Sequence, residues 1–330
     1  MQILEITSLL DECNAKRILL LCHHNADPDA ICSAFAFSRL LERLRPELRT
    51  EIAAAQGPSR LSKFMLKSLP ATLIDQPKIE EADAIVLLDT NTVQQLDDWG
   101  RQVEASSAPI IVIDHHASHP DTEDLATLIV ADEKASSTCQ IIYNLFKEAG
   151  VKLTSIEAKA LFLGIAFDTR HFILASSATL KILADLTEAG VKAGEALSSL
   201  SLPIVLSERI ARLKAGKRVK VLRINNWLLA FSHVSAYQAS AARALIALGA
   251  HVAIVAGHHG GKIQISMRAN REFHEKTGVH LGRDVAKPLG EYLHGMGGGH
   301  AVSAGANGTG DLDANLKRCM TLLKETLTQT

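Results

Sequence analysis

The chain has 330 residues, of which 47% are apolar, 22% charged and 4% aromatic, with a formal net charge of −1. That length allows two ordinary domains, each burying its own core. The near-neutral charge speaks against a protein built to grip long nucleic acid, and the scarcity of aromatics against an extended stacking platform for single strands. Neither excludes a phosphorylated ligand of dinucleotide size.

The five cysteines, Cys13, Cys22, Cys32, Cys139 and Cys319, are scattered and form no C-x-x-C pair. This usage fits free thiols in a reducing compartment. The start MQILEITSLLDECNAK lacks the basic head and apolar core of a signal peptide. No apolar stretch reaches the roughly 18 residues of a membrane span. The expected location is the cytoplasm, without a membrane partner.

In chain order, RILLLC (17–22), TEIAAA (50–55), DAIVLLD (83–89) and PIIVID (109–114) read as strands buried on both faces. Between them lie helical patterns, one over 29–45 and another over 136–149, whose serine start and EAG end look like a cap and a stop. Thr154 or Ser155 can cap a further helix through IEAKALFLGIAF. This alternation implies an α/β fold with a mostly parallel sheet.

From about Gly190 the strand signal lapses into helix and connector. A second α/β segment follows Gly216. It has strands RVKVLRI and WLLAFS, a helix over 236–248, and strands HVAIVAG and KIQISMR around a glycine turn. A helix over 281–293, the glycine-rich HGMGGGHAVSAGANG and a final polar helix complete the chain. The expected domains are 1–193 and a smaller 217–330, joined by a helical linker, 194–216.

Polar residues stand at the carboxyl ends of the first strands, where ligands bind in parallel α/β sheets. His23, Asp27 and Asp29 follow the first strand, Asp89 follows AIVLL, and Asp114, His115 and His116 follow PIIVI. Asp168 ends the apolar helix. One aspartate at a strand end is ordinarily a cap or turn residue; four such places, two with histidines, exceed that need. Carboxylates gathered at one edge repel one another, and cations resolve the conflict. Oxygen and imidazole donors without thiolate favour Mn²⁺, with Mg²⁺ or Zn²⁺ as alternatives.

These residues carry a resemblance. HHNADPDAICS resembles the first motif of the DHH phosphoesterase superfamily, LLDT (87–90) its second, DHHAS (114–118) its third and GIAFDTRHF (164–172) its fourth. GGGHAVSAG (297–305) and ISMRAN (265–270) are similar to the accompanying DHHA1 domain. The resemblance implies a DHH domain joined to a DHHA1 domain, with two divalent ions held by His23, Asp27, Asp29, Asp89, His115 and Asp168. Asp89 would bridge the ions, with His116 near the scissile phosphate and Asp114 beside it. The family mechanism is attack on phosphorus by a metal-bridged hydroxide in the cleft between domains.

Departures from the pattern are Ala26 for proline, Cys32 for glycine, Pro28 between the two aspartates, and Arg170 where glycine is common. None removes an implied ligand.

For substrate, the candidates are Arg268, Gly298, Gly299 and His300, together with Arg170 and His171 after the fourth motif. A helix starting at His300 would add its positive end to the glycine loop. GHHGG (257–261) reads mainly as a hairpin turn, leaving the roles of His258 and His259 open. Cys22 and Cys32 read as packing, and Ser136, Ser137 and Thr138 as a helix cap whose N-terminus can also face the site.

The reading is a hydrolase of the nanoRNase or 3′-phosphoadenosine 5′-phosphate phosphatase type, acting on short nucleotidic phosphoesters. Its substrates are short oligoribonucleotides, that bisphosphate, or linear or cyclic dinucleotides. Alternatives are a RecJ-like single-strand exonuclease and a non-catalytic nucleotide-binding module. A pyrophosphatase or polyphosphatase is disfavoured by the GGGH signature. A homodimer is left open.

Overall fold

The computed structural model describes residues 1–259 and 261–328. The chain divides into two compact units, Met1–Leu202 and Pro203–Thr330. The fold is α/β, as the strand–helix alternation implies.

The first unit begins with α1 (Gln2–Glu12), β1 (Arg17–Cys22), α2 (Pro28–Leu44), β2 (Arg49–Ala54) and α3 (Arg60–Met65). It continues with β3 (Ala84–Leu88), α4 (Asp98–Glu104), β4 (Ile110–Asp114), α5 (Pro120–Leu125) and β5 (Leu128–Ala131). Four helices close it: α6 (Thr138–Glu148), α7 (Ser155–Asp168), α8 (Ser177–Glu188) and α9 (Ala193–Ser199).

The five strands are parallel in the order β2-β1-β3-β4-β5. Strand order reverses between β1 and β3, which opens a crevice at their carboxyl ends. Consecutive apolar residues serve both faces. Ile18, Leu20 and Cys22 join the core under α2, α6 and α7, while Leu19 and Leu21 pack with Ile85, Leu87 and Val112 on the other side. Register sets the site. Cys22 pairs with Leu88 and Leu88 with Ile113, so His23, Asp89 and Asp114 stand level on three adjacent strands.

β5 has no counterpart among the expected strands; its outer position leaves three of its four residues half-buried, which blurs the apolar run. The Thr154 cap is observed as a capping box, with Glu157 returning a bond to the Thr154 amide at 2.8 Å.

The second unit holds α10 (Leu206–Lys217), β6 (Lys220–Ile224), β7 (Trp227–His233), α11 (Gln238–Ala247), β8 (Val252–His259) and β9 (Lys262–Ala269). Then come α12 (Arg271–Thr277), α13 (Lys287–Tyr292), β10 (Met296–Gly299), β11 (Ser303–Gly308) and α14 (Leu312–Thr328). Its six strands run β10-β11-β9-β8-β7-β6, with β7 and β8 parallel and the other neighbours antiparallel. Ala230, Ala253 and Val255 pack on α10 and α11, and Leu229, Phe231 and Ile254 on the opposite face. The expected linker is helical in two pieces, α9 lying in the first unit and α10 in the second.

Two expectations are corrected here. The helix over 281–293 opens as a π-helical turn, Leu281–Ala286, before α13. No helix begins at His300: its amide bonds the Ser303 carbonyl at 2.8 Å, in the turn joining antiparallel β10 and β11. Backbone crowding explains this. A Cβ on Gly297 would lie 1.7 Å from the Ala286 carbonyl oxygen, and one on Gly299 2.6 Å from the Ser303 carbonyl oxygen. These glycines let the strand lie against neighbouring main chain.

Gly164, inside α7, tests the packing beneath the site. An added methyl would lie 2.3 Å from Cys139 Sγ and 2.6 Å from Asp29 Oδ1. Glycine to alanine in a helix ordinarily gains about 1 kcal/mol. Gly164→Ala is instead expected to lose about 1–3 kcal/mol by overpacking. Gly216→Ala in α10, where nothing lies within 4 Å, should keep the usual gain. Urea unfolding of both variants measures the contrast.

Candidate metal centre

The loop after β1 is shaped by its backbone. Asn25 sits at φ +53°, a region asparagine tolerates. Asp27 caps α2, its Oδ1 accepting from the amides of Asp29 at 2.9 Å and Ala30 at 3.2 Å, and Pro28 takes the first helical turn. The His23 Nδ1–H donates to the His24 carbonyl at 2.8 Å, which leaves Nε2 as the acceptor; it lies 3.8 Å from Asp89 Oδ2. His24 is tied elsewhere, Nδ1 and amide both reaching the Gln95 carbonyl.

Asp29 is fully buried in the first turn of α2. Its Oδ2 accepts the Thr138 amide at 2.6 Å and its Oδ1 the Cys139 amide at 3.1 Å, so the N-terminus of α6 faces this carboxylate. Asp89, at the end of β3, has φ +53° and accepts the Thr138 hydroxyl at 3.0 Å through Oδ1. Strained backbone of this kind clusters at functional sites.

At the end of β4, Asp114 Oδ1 accepts from the amide and from Nδ1–H of His116, both at 2.8 Å. His115 Nε2 lies 3.1 Å from Asp168 Oδ2 and 3.6 Å from Asp89 Oδ1. Ligand atoms of His23, Asp27 and Asp89 all lie within 4.8 Å of one another, as do those of Asp29, His115 and Asp168. A further group joins Asp89 to Asp114, His115 and His116. The six residues singled out as ligands thus form two triads, with Asp89 adjoining both.

Burial, then the charge of Asp168, raises the pKa of Asp27 and of Asp29. Burial, then the charge of Asp27, pushes Asp89 up to about 8. Burial pulls His115 down, but the Asp168 and Asp89 carboxylates outweigh it and leave it raised. The bond to Asp114 lifts His116 to about 9.

A divalent cation fits this donor set. His115 Nε2 is buried without a hydrogen-bond partner despite its carboxylate neighbours, and so is Asp114 Oδ2. The gathered donors are oxygens and imidazole nitrogens. Cys22 and Cys32 pack in the apolar core, where burial holds their thiols well above the usual range.

Arg170 and His171 are exposed in the turn after α7, both with left-handed φ, +51° and +56°. That conformation accounts for glycine being common at position 170. In the second unit, Arg268, Gly298, Gly299 and Ser303 line a pocket of about 370 Å³ with Tyr237 and Gln238. His300 is exposed on the β10–β11 turn and is not among the lining residues. His258 is exposed on β8; the His259 side chain and Gly260 lie outside the described residues. Sequence reasoning missed Thr138 as a partner of Asp89, although the serine cap already placed a helix start there. No local signal marked Tyr237 as a lining residue of the second unit's pocket.

The model of the DHH family, N-terminal domain, matches residues 17–165. The chain belongs to the DHH phosphoesterase superfamily. An uncharacterized protein of Methanocaldococcus jannaschii is 32% identical over 321 residues, covering 97% of this chain and 94% of that one. A probable manganese-dependent inorganic pyrophosphatase of Streptococcus pyogenes is 30% identical over 156 residues, 46% of this chain and 48% of the pyrophosphatase. The crystal structure of an exopolyphosphatase-related protein from Bacteroides fragilis shares the fold, with TM-score 0.64 and 19% identity over 99% of this chain and 97% of that one. Among the described residues, no helix is long and apolar enough to cross a membrane.

Thr138→Val keeps the side-chain shape but removes the hydroxyl on Asp89. Mn²⁺ affinity by calorimetry is expected to fall about 10-fold, with Thr138→Ser close to the parent. Unaltered affinity in the valine variant would remove Thr138 from the site.

The raised pKa values set a pH dependence in chelated protein. Each group binds its proton more tightly folded than unfolded, so stability falls as pH rises from about 4 to about 9. Tm in chelator should drop across that range. Mn²⁺ at a fixed concentration, about 100 times its Kd at pH 7, should restore about 2.7 kcal/mol at that pH and a larger Tm gain at the alkaline end, where its ligands are deprotonated.

Proposed function

We propose that the protein is a metal-dependent hydrolase of short nucleotidic phosphoesters, using two divalent ions, Mn²⁺ foremost. The observation that carries this reading is the pair of triads adjoining Asp89 at the carboxyl edge of the sheet. His23, Asp27 and Asp89 would hold one ion, and Asp29, His115 and Asp168 the other. Such ions polarise a phosphoryl oxygen and lower the pKa of an attacking water.

The chain's own residues do the rest. The Thr138 hydroxyl and the amides of Thr138 and Cys139 hold Asp89 and Asp29 in one orientation. Asp114 fixes the His116 ring and keeps it protonated, and the His116 Nε2–H serves to give a proton to the leaving oxygen. Arg268 and Gly298, in a pocket of the second unit, offer a fixed cation and open main chain to a phosphate group. A near-neutral chain suits a short ligand better than a long strand. Pyrophosphate hydrolysis is a second reading, favoured by the 30% identity to the streptococcal pyrophosphatase over 156 residues.

The test is a substrate panel with Mn²⁺, Mg²⁺ and Zn²⁺. It comprises 3′-phosphoadenosine 5′-phosphate, di- and triribonucleotides, linear and cyclic dinucleotides, pyrophosphate and a long single strand. A short nucleotide is expected to give the highest kcat/KM, and Asp89→Ala to lower kcat by more than about 10²-fold. Gly298→Leu, where nothing lies within 4 Å of an added Cβ, should raise KM without lowering Tm. Fastest turnover of pyrophosphate, or degradation of the long strand as fast as a dimer, would replace this reading. Ligand binding with no turnover in either parent or Asp89→Ala would make the protein a binding module.

A further inference from the structure

We propose that Tyr237 is a specificity-determining residue whose ring stacks on the base of a nucleotide held by Arg268. This rests on the nucleotidic reading above. It goes further, in naming the feature that separates a nucleotide from a ring-free phosphate.

Tyr237 precedes α11 with φ +62° and ψ 34°. In this left-handed region the Cβ crowds neighbouring main chain, so glycine or asparagine is the ordinary occupant and a bulky side chain is an outlier. Its Oη lies 3.0 Å from Ser207 Oγ on α10, which pins the far end of the ring. The residue as a whole stays 41% exposed. Among the described residues, the other strongly exposed tyrosine is Tyr292, and Arg318 already lies over its ring at 5.9 Å.

The pocket beside Tyr237 supplies the second half of the recognition. Arg268 is half-buried there, and its two hydrogen bonds, to the Met267 carbonyl at 2.8 Å and Ser266 Oγ at 3.4 Å, both leave from Nη1. Burial and the charge of Arg243 lower its pKa, the sign of a cation without a compensating anion. Ser303 and Gln238 add polar groups, and Gly298 leaves one wall open. The site therefore pairs a cation for a phosphate with a fixed aromatic face, within a volume of about 370 Å³. A ring-free phosphate uses only the first.

The test is calorimetry of the intact protein with two probes, adenosine 5′-monophosphate and inorganic phosphate. Tyr237→Asn suits the left-handed backbone, so it should fold with an unchanged or higher Tm. It is expected to lose about 10-fold in affinity for the nucleotide and to bind phosphate as the parent does. Tyr237→Phe keeps the ring and should stay near the parent for both probes. Three results would overturn the proposal: an asparagine variant that binds the nucleotide normally, an equal loss for both probes, or a parent that binds the nucleotide no better than phosphate. Failure of the broader reading shows separately, as absence of nucleotide turnover in the panel whatever the asparagine variant binds.

Discussion

Carboxylates crowd the carboxyl edge of the first unit's sheet, and their mutual repulsion is the constraint that the surrounding structure answers. Asp29 and Asp89 are almost fully buried, where an unpaired charge is costly. The fold meets part of that cost before any ion binds. The N-terminus of α6 presents two amides to Asp29, and Thr138 adds a hydroxyl to Asp89. The nearest imidazole nitrogens to Asp89 belong to His23, His115 and His116, at 3.6–3.8 Å, and a neutral His23 or His115 can give its lone pair to a metal as lysine cannot. A cation held by this cluster would link its binding to folding.

The same pressure reaches into the core. Gly164 has no Cβ because Cys139 and Asp29 fill the space beside it, so α7 gives up helix propensity to let α2 and α6 close over the carboxylate. A helix that is apolar on all sides tolerates this because tertiary packing, not propensity, holds it. Asp168 ends that helix at the cluster.

Glycine serves two purposes in the second unit. Gly297 and Gly299 are demanded by neighbouring main chain, as is Gly290, whose added Cβ would meet the Gly297 amide nitrogen at 2.3 Å. Gly298 faces open space on the pocket wall. A run that reads as one phosphate-binding loop is thus largely a packing device with a single open position, and this is why His300 sits in a turn between two strands and starts no helix.

Much of the first unit was legible in the sequence. Continuous apolar runs marked β1, β3 and β4 as buried on both faces, and the residues just beyond them had to be polar and near one another, since strands of a parallel sheet end on one edge. His23, Asp27, Asp29, Asp89 and His115 were readable as neighbours for that reason, whereas Asp168 ends a helix, and the choice of these six as ligands came from the resemblance of the motifs. β5 was not readable, because an edge strand carries a weaker apolar signal. Periodicity is local and fixes neither strand order nor the partners of a side chain. Only the tertiary structure placed β1 beside β3, sorted the six residues into two triads and brought Thr138 to Asp89 across 49 positions. The left-handed turn at Tyr237 and the crowding at Gly297 were likewise decided there, because both depend on main chain distant in sequence.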